Sequence, residues 1–278
     1  VTLTHSIPEP NGLAIRTPLG MVLHTGDWKI DPDPIIGEDF DQAKIEELGR
    51  EGILAMVCDS TNVFEEGEAG SEGMAREALR RAVAEQTGRV AITAFASNVA
   101  RVQSACEAAR ANNRSVCLLG RSMIRVVGAA QSVGLLQEFK FISADEAAYL
   151  PHENVLYLCT GSQGESNAAL ARLARGDHPS AKLGADDTVI FSSRVIPGNE
   201  RSIAAIQNML AERNIKLVTD RQFDIHVSGH PCRDELRRMY LWAKPRIAIP
   251  VHGERRHLME HARFARSLQV PEAITPDN

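Results

Sequence analysis

The 278-residue chain has 44% hydrophobic, 24% charged and only 5% aromatic residues, with a formal net charge of −5. At about 150 residues per domain this length suggests about two domains or one large one. The composition excludes disorder, collagen and coiled coil. No apolar run approaches the ~18 residues of a membrane span, Val1 to Pro10 is not a signal peptide, and the acidic balance does not announce a dedicated nucleic-acid binder, although a local basic cluster can serve one.

In chain order, the sequence begins Val1-Thr2-Leu3-Thr4-His5 without a Met, as the inside of a strand would, and is expected to be a piece of a longer protein. Residues 1–31 read as strand, turn, strand: Leu13 to Arg16, a Pro18-Leu19-Gly20 turn, and Met21 to His24 leading into Gly26-Asp27. Ser71 is placed to cap a helix carrying Met74, Ala75, Ala78, Leu79, Ala82 and Val83, and Ser97 a second carrying Val99, Val102 and Cys106. Ile203, Ile206, Met209 and Leu210 stripe a third. Between and after them, the runs 90–94, 115–119, 155–159, 188–192 and 216–219 are short, continuous and apolar. Such runs suit strands buried on both faces of a parallel sheet, so the middle of the chain is expected to be a doubly wound α/β layer. Towards the end come a helix near 233–242, a strand at 246–251, a helix from about 255 to 268 and a linker-like tail.

The cysteines (Cys58, Cys106, Cys117, Cys159, Cys232) are odd in number and form no Cys-x-x-Cys pair. Small buried hydrophobes in a reducing, cytosolic compartment are the expected reading.

The chemistry-bearing residues sit where strands end: Thr4-His5-Ser6, Thr25-Gly26-Asp27, Cys58-Asp59-Ser60-Thr61-Asn62, and Pro250-Val251-His252-Gly253-Glu254. A fifth element, His226-Val227-Ser228-Gly229-His230, precedes a helix. Ligands collect at the carboxyl ends of strands in α/β folds, and His/Asp donors there suit a cation such as Zn²⁺ or Mn²⁺. Taken singly, each has a plainer reading as a turn former, helix cap or structural histidine. His257-Leu258-Met259-Glu260-His261 matches the H-x-x-E-H pattern of inverted zinc peptidases, but only seventeen residues follow it, too few to supply a distant carboxylate ligand.

Taken in order, these elements resemble ribonuclease J, of the β-CASP branch of the metallo-β-lactamase superfamily. The resemblance also runs through Phe95-Ala96-Ser97-Asn98 with Arg101, Gly120-Arg121-Ser122-Met123, Thr160-Gly161-Ser162-Gln163-Gly164-Glu165 and Ser192-Ser193-Arg194-Val195-Ile196-Pro197-Gly198-Asn199-Glu200. It implies an incomplete metallo-β-lactamase αββα sandwich, residues 1–70 and 235–278, with a doubly wound α/β β-CASP domain inserted at 71–234. It implies that His5 ligates one of two zinc ions, that Asp27 bridges both and that His252 ligates the second. His230 corresponds to the histidine that protonates the leaving oxygen or steadies the scissile phosphate, and Asp59 to the acid that orients it. Single-stranded RNA is the implied partner, with Ser97, Asn98, Arg101, Arg121, Ser162, Gln163, His226 and Ser228 as contacts. Cleavage both 5′-to-3′ from an end and internally, a cytoplasmic location and a homo-oligomer are implied for the intact protein.

The upstream His-x-His-x-Asp-His motif of that family is nowhere in this sequence. Two protein ligands per zinc remain, against the three or four of a stable site. Weak or absent metal and no activity are therefore expected of the chain alone. The rival expectations are a non-catalytic RNA-binding β-CASP scaffold and a metallo-β-lactamase-fold hydrolase of a small ester or lactam.

Overall fold

The computed structural model describes residues 1–277, which divide into two compact units. Unit 1 is formed by Val1–Ser71 with Ser228–Asn278, and unit 2 by Glu72–Val227. The sequence placed the second boundary after Asp234. The chain division falls earlier, because the turn leading into the helix at 233 is tied to unit 1 through Glu235, which accepts the Ile30 and Ala69 N–H groups.

The chain opens with a hairpin, β1 (Leu13–Thr17) and β2 (Gly20–His24), followed by α1 (Gln42–Glu51) and β3 (Ile53–Asp59). Asp41 caps α1 by accepting the Lys44 N–H at 2.9 Å. Unit 2 then runs α2 (Glu72–Ala84), β4 (Val90–Thr93), α3 (Val99–Ala111), β5 (Ser115–Leu119), α4 (Arg121–Ser132), β6 (Phe141–Ile142), α5 (Ala144–Tyr149), β7 (Val155–Cys159), α6 (Ala169–Arg175), β8 (Thr188–Phe191), α7 (Glu200–Glu212) and β9 (Lys216–Val218). The return to unit 1 supplies α8 (Arg233–Ala243), β10 (Ile247–Val251), α9 (Arg255–Ser267) and β11 (Glu272–Ala273).

Unit 2 is built on a six-stranded sheet in the order β6-β5-β7-β4-β8-β9, every pairing parallel. Its central strands β4, β7 and β8 are buried along their whole length, so each side chain contributes to a core on one face or the other. Burying an aliphatic side chain of this kind contributes about 1.5–3 kcal/mol, and parallel neighbours require the helical crossovers that the chain provides. The expected strands are present, ending within a residue of their anticipated limits.

One expected cap is corrected. Asn98, not Ser97, caps α3: its side-chain oxygen accepts the Arg101 N–H at 2.8 Å, while Ser97 lies one residue too early and is exposed.

Unit 1 is a five-stranded sheet in the order β1-β2-β3-β10-β11. In this sheet the β1–β2 hairpin pairs antiparallel, whereas β2, β3, β10 and β11 pair in parallel. Leu23, Trp28, Ile45, Leu48, Met56, Leu236, Met239 and Phe264 form its core, drawn from the sheet, α1, α8 and α9. Among the described residues no helix is long and apolar enough to cross a membrane, and all five cysteines are buried, with no disulfide between them.

Candidate metal centre

Because β2, β3 and β10 run side by side in the same direction, their carboxyl ends share one edge of the sheet. Asp27 follows β2 across the Thr25-Gly26 turn, Asp59 is the last residue of β3, and His252 directly follows β10. His230 arrives on the loop before α8. One ligand atom from each of Asp27, Asp59, His230 and His252 lies within 4.8 Å of the others.

The polar contacts are specific. His230 donates its Nδ1–H to Asp59 Oδ2 at 2.7 Å, which leaves Nε2 as its outward nitrogen. His252 Nδ1 lies 2.9 Å from Asp27 Oδ1 and 3.3 Å from Asp59 Oδ1. Asp59 has no solvent exposure and also accepts the Thr61 N–H and hydroxyl at 2.9 and 2.7 Å. The His252 backbone has φ +57°, in the left-handed region, which costs a non-glycine residue of order 1–2 kcal/mol.

His5 is brought to the same place by a different device. Thr4 pairs with Lys29 in an isolated antiparallel bridge, so the N-terminal segment lies along the residues that follow Asp27. Its Nδ1–H donates to the Gly229 carbonyl, and its ring centroid is 5.2 Å from that of His230. Gly229 is required by this approach: a Cβ there would come within 2.6 Å of the His5 ring and 2.7 Å of the Ser6 hydroxyl.

The charges are arranged around Asp59. Burial alone pushes its carboxyl up, but the hydrogen bonds from His230 and His252 prevail and hold it well below the usual carboxylate range. Asp27 is lowered chiefly by its bond with His252. His252 is pushed up to about 10, first by Asp27 and then by Asp59. A His252 imidazolium therefore offsets part of the charge of the two carboxylates. Burial lowers His5, partly opposed by its bond to Gly229. Two carboxylates, two imidazoles and the neighbouring His5 form the mixed oxygen and nitrogen donor set that suits a divalent cation of the zinc or manganese kind.

Of the residues expected to hold RNA, three are differently engaged. Arg101 has no solvent exposure; its guanidinium is paired with Glu72 at 2.9 Å and donates to Ser192 Oγ and the Ile225 carbonyl. Its charge is neutralised inside unit 2 and is out of reach of a phosphate. Asn98 is buried, capping α3 and donating to Glu72. The Gln163 amide shapes the following loop, donating to the Arg194 carbonyl and accepting from Ile196 and Asn199. The sequence could not distinguish these buried anchors from surface contacts. By contrast, Ser97 and Arg121 are exposed, and Arg121 lines a cavity of about 660 Å³ with Ser122, Arg125 and Thr160. Ser162 is itself buried, although it lines another of about 600 Å³. Ser228 Oγ accepts from Asn62 and from the His230 N–H, and His226 is half-buried.

Two family models match the chain: "Ribonuclease J, beta-CASP domain" over residues 87–210 and "Zn-dependent metallo-hydrolase RNA specificity domain" over residues 214–271. The ribonuclease J of Sinorhizobium meliloti is 50% identical over 272 residues, covering 98% of this chain. This chain belongs to the ribonuclease J family. The ribonuclease J proteins of Corynebacterium glutamicum and Thermus thermophilus are 42% and 38% identical, over 99% and 98% of the chain. The chain spans about half or less of these relatives, 48%, 38% and 48% of their lengths in that order. The fold is shared with a crystal structure of a protein of unknown function from Enterococcus faecalis V583, at a TM-score of 0.66 and 16% identity, covering all of this chain and 61% of the other. The β-CASP match falls within unit 2, and the second match runs from the end of unit 2 into unit 1.

Proposed function

We propose that this chain carries part of the catalytic centre of a metal-dependent RNA nuclease that hydrolyses phosphodiester bonds in single-stranded RNA, both 5′-to-3′ from an end and internally. The observation that carries the reading is the Asp59–His230 couple set among Asp27 and His252, in a chain whose relatives are ribonucleases. His5, Asp27 and His252 are the residues that would hold the divalent metal. A bound divalent cation supplies an activated water and offsets charge on the phosphodiester. Asp59 fixes the His230 ring through Nδ1, so that Nε2 can steady the scissile phosphate or give a proton to the departing oxygen, a contribution worth typically 10²–10⁴ in rate. Ser97, Arg121, Ser162, His226 and Ser228 remain the proposed RNA contacts, the arginine suited to phosphate by its donor fork.

His5, Asp27 and His252 would by themselves be too few donors for two stable zinc sites. The chain alone is therefore assigned weak metal binding and no activity; two fully occupied zinc ions by elemental analysis would overturn that assignment. A cytoplasmic location is proposed on the five buried cysteines, which include no Cys-x-x-Cys pair, and a homo-oligomer of the full-length protein on the family resemblance, to be checked by light scattering.

The deciding experiment incubates the full-length protein with 5′-monophosphorylated single-stranded RNA, labelled at either end, with Mn²⁺ or Zn²⁺ and with EDTA. Metal-dependent cleavage lost in Asp59→Asn and His230→Ala is expected. Cleavage that persists in EDTA, or is undiminished in both variants, refutes the reading.

A further inference from the structure

The second histidine of the His257–His261 pattern has an environment unlike that of a peptidase ligand. His261 has no solvent exposure. Its Nδ1 lies 2.8 Å from Ser60 Oγ and its Nε2 lies 2.9 Å from the Tyr240 hydroxyl, with the two rings edge to face at 5.6 Å between centroids. A neutral imidazole has one donor and one acceptor nitrogen on opposite sides, and here both are matched by hydroxyls that can do either. Burial holds His261 down at about 4, so it stays neutral at physiological pH.

Ser60 makes this contact consequential. It directly follows Asp59, is itself fully buried, and its N–H donates at 2.9 Å to the carbonyl of Val251, the residue before His252. Asp59 and Val251 are paired across β3 and β10. Ser60 is thus the joint between the two strand ends that carry Asp59 and His252, and its hydroxyl is anchored from α9 by His261, which α8 holds in turn through Tyr240. The joint lies one residue from the left-handed backbone of His252, and α9 begins three residues after that histidine.

We propose that His261 is a positioning residue of the metal centre, setting the relative placement of Asp59 and His252 through Ser60. The inference rests on the metal-dependent reading above. Groups that hold metal ligands in place typically contribute 10–100-fold to metal affinity. A histidine that only fills and satisfies the core would change stability and leave the affinity of the folded protein untouched.

The test uses the full-length protein, with His261→Phe removing both bonds at similar volume and Ser60→Ala removing one oxygen while sparing the His261–Tyr240 bond. Zn²⁺ affinity by competition with a chromophoric chelator is expected to fall about tenfold in each, with the double variant no worse than the weaker single one, as expected for one shared path. The turnover number on RNA should fall in parallel, with KM within about twofold, as for a group acting at the reacting centre rather than in substrate binding. Unchanged affinity and turnover in folded Ser60→Ala overturn the proposal, and this variant decides the matter if His261→Phe fails to fold. Failure of the unsubstituted protein to bind Zn²⁺ refutes instead the metal-dependent reading.

Discussion

Glu235 measures how strongly unit 1 holds the segments that carry its site. Its buried carboxylate accepts the Ile30 N–H on one oxygen at 2.8 Å, and those of Ala69 and Cys232 on the other at 2.9 and 2.8 Å. Ile30 follows Asp27 by three residues and Cys232 follows His230 by two, so one side chain ties both approaches to the site and caps α8. In Glu235→Gln the remaining oxygen keeps the Ala69 and Cys232 bonds in the better orientation, and the amide nitrogen faces the Ile30 donor. One buried N–H is then unpaired, a loss of about 1–3 kcal/mol. Burial raises the Glu235 carboxyl above its ordinary value despite its three backbone bonds. Removing the charge therefore relieves some desolvation, and the expected loss is towards the lower end, about 1–2 kcal/mol. Glu235→Ala strands all three donors and should lose at least about 3 kcal/mol. Urea unfolding of the 278-residue chain, followed by far-ultraviolet circular dichroism with the slope held common, checks both values. A loss in Glu235→Ala within about 0.5 kcal/mol, the range of an ordinary surface substitution, would refute the reasoning.

Three further outcomes are expected. In the metal-free chain His252 is raised from 6.5 to about 10 by Asp27 and Asp59, so its contribution to stability is complete below pH 6.5 and lost as the pH rises towards 10. Asp27 and Asp59 are lowered from 3.8, so theirs is present above that value and lost on acidification. Metal must displace the His252 proton, and apparent affinity should therefore rise about tenfold per pH unit between pH 7 and 9; a flat profile in a chelator competition, or an NMR titration midpoint for His252 left unmoved by Asp27→Asn, contradicts this. Arg101→Met leaves Glu72 charged and buried and should destabilise unit 2 by about 3–5 kcal/mol, with Glu72→Gln in the same chain restoring part of it. Weaker RNA binding by Arg101→Met at undiminished stability would show instead that this arginine faces the ligand.

Much of unit 2 is legible in the sequence, since β4, β5, β7 and β8 are unbroken apolar runs buried on both faces, and such runs announce themselves locally. Other elements did not. Helix α1 is not evident from the sequence, although Asp41 supplies its capping side chain, nor is α4, which starts after Gly120 with no side-chain cap. Asn98, Arg101 and Gln163 were read as RNA contacts because a polar residue in a motif looks the same buried or exposed. What settles Arg101 is Glu72, 29 residues away in the chain. The role of His261 is hidden in the sequence, since nothing local reveals that Ser60 and Tyr240 enclose it.

By itself the sequence determined the order of helices and strands, the apolar faces and, through its ordered motifs, the family. Tertiary structure alone decided that β10 lies beside β3 and β3 beside β2, which places Asp27, Asp59 and His252 on one edge, and that His230 meets Asp59 across 171 residues of chain. The reason is that strand periodicity specifies which side of a strand is buried, whereas sheet order follows from hydrogen-bond ladders and burial summed over the whole unit. Those sums also decide which polar side chains have their charge neutralised inside and which remain for a ligand.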